Sequence, residues 1–212
     1  RLHPSIKGVW GAQSSGAALV SFNLDAFTSY GHEQGDNAPV SELAAAKYTT
    51  ALNRFLERDS GHRIQIGDAS TVFWADASEA ESDGAAIAEQ VFGMMFDSTS
   101  FGVDEKMQSD KVGDILAKIR EGKTVASFNP GLAEKVRFYV LGLAPNAARL
   151  SIRFYFEDSF GALAHNYQKF ISDMHIDPQP RDGYPPLWRY LSETAVLGKR
   201  ENVAPNLAGE IG

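Results

Sequence analysis

The feature that most constrains the fold is a pair of runs, residues 135–142 and 149–156, in which aromatic and β-branched residues alternate with polar ones. That alternation has the period of a strand. The intervening Leu143-Ala144-Pro145-Asn146-Ala147-Ala148 supplies a connection, so two neighbouring antiparallel strands are predicted. Strand alternation would place Arg137, Tyr139, Arg149, Arg153 and Tyr155 on one face, opposite Phe138, Val140, Ile152, Phe154 and Phe156. Guanidinium groups pair with phosphate and aromatic rings stack on bases, so the odd-numbered face reads as a nucleic-acid surface. An ordinary solvated outer face would carry the same pattern.

The remaining punctuation predicts an α+β fold of mixed, mainly antiparallel strands with packed amphipathic helices. Strands are expected over about 6–24, 63–75 and 135–156, the second broken at Gly67-Asp68. Helices are expected over about 42–58, 78–97, 104–121 and 159–174, with a short one at 187–195. Ser41 is the predicted N-cap of the first helix, and Gly122 the stop of the third. Residues 25–40 read as a loop, and Pro178, Pro180, Pro185 and Pro186 as an irregular crossing. The reading is one α+β region over 1–212, with a sub-boundary near 122–134.

Residues 8–24, GVWGAQSSGAALVSFNL, contain no charged residue, yet glycines and Gln13-Ser14-Ser15 interrupt them, so they do not form a membrane span. A small-residue loop between two strands is predicted. It lets backbone amides approach a ligand or a nucleic-acid groove closely, and a tight structural hairpin would look the same.

Composition narrows the chemistry. There are no cysteines, which excludes disulfides and thiolate metal sites and fits a cytoplasmic protein. No signal peptide is visible. The net charge is −7, and all of it falls in residues 1–100, while residues 101–212 balance. Any footprint on phosphate must therefore be local, and is expected in the second half. His3, His32, His62, His165 and His175 are scattered without HExxH or HxH spacing, so no metal site is expected. Asp25, Asp68 and Asp76 at strand ends read as turn and cap residues rather than ligands of a two-metal nuclease. Ala12-Gln13-Ser14-Ser15-Gly16 approaches a nucleophile elbow with Ser14 in the middle, but it lacks the first glycine and a following helix. Neither a P-loop nor GxGxxG occurs. No catalytic residue and no cofactor are expected.

Several blocks carry a family resemblance. IKGVWGAQSSGAALVSFNLDAFTSYGHEQGDNAPVSELAAAKYTTALNRFL, RIQIGDASTVFWAD, RFYVLGLAPNAARLSIRFY, PPLWRYL and NVAPNLAGE appear in that order. Together they resemble the middle of the large subunit of type I-C (Dvulg-subtype) CRISPR Cascade surveillance complexes, from about Leu2 to Glu210. The terminal Ile211-Gly212 departs from the family's expected continuation. Members are longer, so the resemblance implies an N-terminal region and a C-terminal helical region outside this chain. It implies a non-enzymatic role: reading the protospacer-adjacent motif (PAM) in target double-stranded DNA and helping to open the duplex. The implied partners are that DNA, crRNA, the other Cascade subunits, and a helicase-nuclease recruited after target binding, with no membrane. In such systems protein reads a short motif while base pairing reads sequence. By analogy with the glycine-containing loop and polar wedge of related large subunits, Lys7, Gln13, Ser14 and Ser15 are expected near duplex DNA. Arg137, Arg149 and Arg153 are expected on phosphate or crRNA. The alternative is a scaffold segment that docks on neighbouring subunits without touching nucleic acid.

Overall fold

The computed structural model describes residues 3–22, 24–96, 106–178, 185–199 and 202–203, with side chains of Ser29, Gln34 and 106–109 left aside. Its frame is one four-stranded antiparallel sheet in sequence order, β1 (Arg63–Ile66), β2 (Ala69–Asp76), β3 (Arg137–Asn146) and β4 (Arg149–Ser159). The α+β expectation holds. The helices are α1 (Glu42–Phe55), α2 (Gly84–Phe96), α3 (Lys106–Arg120), α4 (Val125–Phe128), α5 (Pro130–Lys135), α6 (Phe160–Asp173) and α7 (Leu187–Glu193).

Local chemistry sets the ends. Ser41 Oγ accepts from Ala44 N at 3.2 Å and Ser159 Oγ from Ala162 N at 3.1 Å, each satisfying an orphan amide of a first helical turn. The second helix starts at Gly84 rather than 78, because Ala77–Ala80 and Glu81–Gly84 close turns of their own. The expected start of the third helix at 104, the expected end of the second at 97, and Pro180 lie outside the described residues. Residues 25–40, a loop by their glycine and proline content, contain two 3-10 helices, Asp25–Gly31 and Gln34–Asn37. The β3–β4 connection is shorter than expected: only Ala147 and Ala148 separate the strands.

The sheet is covered on both faces, which is why β3 reads as a nearly continuous apolar run. Phe73, Phe138 and Val140 face a core built with α2, α3, α5 and α6. Val72, Leu141, Leu143 and Leu150 face a second core closed by Ile6, Val9 and Ala17 of the N-terminal segment and by Leu52 and Leu56. Residues 122–134, where a sub-boundary was read, carry two short helices whose Val125, Leu132 and Ala133 are buried in the first core.

Two expectations need correction. Residues 6–24 are not a pair of strands. They make one antiparallel bridge, Ile6 with Ala17, and one parallel bridge, Ala18 with Arg149. The reason is the turn at 13–16, closed by Gly16 N to Gln13 O at 2.9 Å, together with the docking of the segment onto α1 and the sheet. The second correction concerns the arginine face. Gly142 pairs with Phe154 and Leu143 with Ile152, so Arg153 is the extra residue of a β-bulge. Cross-strand partners share a face. Tyr155 opposite Leu141 therefore lies on the face of Arg137 and Tyr139, but Arg149 opposite Asn146 lies on the other. Gly142 permits this register: a Cβ there would lie 2.5 Å from the Phe154 ring.

Candidate nucleic-acid interface

The loop at 7–16 is fastened at each side and open at its tip. Lys7 N donates to Asn53 Oδ1 at 2.7 Å, and Asn53 Nδ2 donates to Ser5 O at 3.3 Å, tying the incoming strand to α1. Ile6 and Ala17 exchange both backbone hydrogen bonds at 2.9 Å, and both are buried. Val9 is buried, and next to it Trp10 N donates to Ser70 Oγ at 2.8 Å. Ser70 Oγ donates in turn to Gln65 Oε1 at 3.0 Å, so a fully buried hydroxyl joins the loop to the β1–β2 hairpin. Gly8 has φ +84°, and a Cβ there would meet Leu56 O at 2.9 Å; Gly11 has φ +76° and packs on Pro145. Both need the left-handed backbone that glycine adopts without strain.

Lys7, Gln13, Ser14 and Ser15 are exposed. Ser14 sits in a tight turn, not at a strand-to-helix junction, so the strained geometry of a nucleophile elbow is not formed. The same end of the sheet holds two of the three predicted arginines. Arg149 adjoins the loop through the bridge to Ala18, and Leu150 N donates to Ala18 O at 2.9 Å. Arg153 Nη2 lies 2.6 Å from Asp68 Oδ2 in the β1–β2 turn. Arg137 is at the opposite end of β3, roughly 30 Å along the strand by its residue count. There its Nη2 pairs with Glu157 Oε1 at 2.9 Å, and Glu157 also accepts from the Tyr155 hydroxyl at 2.9 Å. That hydrogen bond and charge hold the Arg137 guanidinium above its ordinary value. The predicted set is thus split: Lys7, Gln13, Ser14 and Ser15 lie on the loop over the second-core face, Arg153 and Arg149 lie at the near end of β4 with Arg149 on the opposite face, and Arg137 is at the far end.

Sequence reasoning missed Trp10, which is 67% exposed at the loop's side. The signal was a tryptophan between Gly8 and Gly11, where the chain has few ways to bury it. It also missed the stack of Phe55, Trp74 and Tyr139, with centroids 5.7 and 5.2 Å apart, which needs α1 and two strands brought together.

The acids stay with turn chemistry. Asp76 Oδ1 accepts from Ser78 N at 2.9 Å, which holds its carboxyl below the usual range. Among the described residues, no three His, Asp or Glu come together to hold a metal ion. An apolar cleft of about 340 Å³ opens on the first-core face, lined by Phe92, Met95, Val140, Phe154 and Phe170 among others. It suits an apolar group rather than a phosphate. Among the described residues no helix is long and apolar enough to cross a membrane.

The chain belongs to the Cas_Csd1 family of CRISPR-associated proteins, whose family model matches residues 1–212. It is therefore a CRISPR-associated Cascade subunit, and other subunits of that complex are its partners. A search of curated proteins found no match.

Proposed function

We propose that this chain is a non-enzymatic part of a type I-C Cascade large subunit, and that its loop at 7–16 contacts target double-stranded DNA at the PAM. The observation that carries the reading is the loop's construction. Its backbone is fixed by Asn53 and Ser70, while the amide and hydroxyls of Gln13, Ser14 and Ser15 stay exposed. A rigid loop of small residues can enter a groove, and a glutamine amide can pair with base edges there. Arg153 at this end of β4, and Arg149 on the sheet's other face, are suited to backbone phosphate. Duplex opening, crRNA contact, recruitment of a helicase-nuclease and a cytoplasmic setting follow from the family reading.

The test is target-DNA binding by the assembled complex. Gln13→Ala should weaken binding in a PAM-dependent way, and Arg149→Ala with Arg153→Ala should weaken it for all sequences and reduce the salt slope by about one to two. Unchanged affinity and slope in both variants would defeat the assignment. A second reading, docking on a neighbouring subunit, is favoured for Arg137, which already pairs with Glu157 and lies far from the loop. Arg137→Ala should then impair assembly and leave DNA binding of the assembled fraction intact.

A further inference from the structure

We propose that Trp10 is a stacking contact for a nucleobase of the target duplex beside the motif that the loop reads; this rests on the DNA-binding reading above. An unrestrained surface tryptophan would fold its ring over nearby apolar surface, since covering apolar area is favourable. Trp10 is kept from doing so by its backbone. Val9 before it is buried, its own N–H is tied to Ser70 Oγ at 2.8 Å, and left-handed glycines lie at positions 8 and 11. The result is an indole 67% exposed on a fixed loop.

The neighbourhood selects the occupant. Gln13, Ser14 and Ser15 lie exposed on the same loop, and Asp68 in the β1–β2 turn is engaged by Arg153 at 2.6 Å. A flat π-face on a loop that carries an exposed amide and hydroxyls, at the sheet end where the Asp68 carboxylate is already paired with Arg153, suits a base attached to phosphate. Stacking does not distinguish bases, so Trp10 supplies affinity that is independent of motif, and Gln13 supplies the reading.

The test uses the assembled complex and duplex targets with 2-aminopurine placed singly at positions in and next to the motif. Wild type should quench the probe at one position. Trp10→Ala should abolish that quenching and weaken binding about 5- to 150-fold for every motif tested, the range expected for one stacked base. Trp10→Phe should restore much of both. The exposed ring leaves thermal stability of the chain unchanged in these variants, which separates lost stacking from lost folding. Wild-type affinity and quenching in Trp10→Ala would overturn the inference. If Gln13→Ala still weakens binding in that case, the DNA-binding reading stands without Trp10. If neither substitution matters, that reading falls too.

Discussion

Glu89 is a carboxyl that the fold half-buries. It accepts from Ala75 N at 2.9 Å, holding the end of β2 against α2, and lies 3.8 Å from the His62 ring. Burial pushes its pKa above the ordinary value of 4.5, outweighing the hydrogen bond and the histidine. A raised folded value means that its favourable contribution is complete below the unfolded value and is lost as pH rises through the folded one. Glu89→Gln keeps an acceptor for Ala75 and removes the ionisation. The variant should therefore gain on wild type as pH rises from about 4.5 toward 7. Urea midpoints taken across that range check this, and a constant difference between the two proteins would contradict it. Gly8 gives a second prediction. Gly8→Ala must accept φ +84° and a Cβ 2.9 Å from Leu56 O, whereas Gly61→Ala meets only the backbone term at φ +71° in open space. Gly61→Ala should cost about 1 kcal/mol and Gly8→Ala about 2–4 kcal/mol, measured by denaturant unfolding.

Ser70 shows what one buried hydroxyl does for an element. It accepts from Trp10 N and donates to Gln65 Oε1, while its side chain is fully buried. Ser70→Ala leaves the Trp10 N–H and the Gln65 carbonyl without that partner, at a cost of about 1–3 kcal/mol. The loss should be local: amide exchange of residues 8–12 should speed up while the β2–β3 ladder stays protected, and DNA affinity of the complex should fall with it. Uniform loosening of the whole chain would contradict this. The same elements show how far sequence reaches. The cap Ser41, the helix α6 and the four strands follow from short-range chemistry, within a few residues of one another, and were legible. The N-terminal segment was not, because its partners Asn53, Ser70 and Pro145 are distant in sequence, and its glycines serve docking as well as turning. The bulge at Arg153 was hidden too. Alternation continues through Tyr155 in the letters alone, and the slip depends on Phe154 covering a glycine of the facing strand. One unseen residue moved Arg149 to the opposite face from Arg137, which the length of β3 already keeps at the other end of the sheet.

Across the whole molecule, two cores share one sheet. Phe138 and Val140 of β3 belong to the first core, and Leu141 and Leu143 of the same strand to the second. Neither core can lose its strand without exposing the other, so both should unfold in one step. Tryptophans happen to report on each separately. Trp188 packs against the first core and Trp74 against the second, while Trp10 is largely exposed. Two single-tryptophan proteins, each also carrying Trp10→Phe, isolate these signals. In the Trp188 protein, Leu143→Ala in the other core should lower the midpoint by the same free energy as in the Trp74 protein, about 2–5 kcal/mol. Phe138→Ala should do likewise at about 3–5 kcal/mol, again seen equally by both probes. This coupling bears on the loop, because Ile6, Val9 and Ala17 belong to the second core and the loop's shape is therefore held by the stability of the entire sheet. If Leu143→Ala shifted the Trp74 transition alone, the N-terminal segment and α1 would be a separable layer. The rigid presentation of Gln13 and Trp10 would then have to come from a partner rather than from this fold.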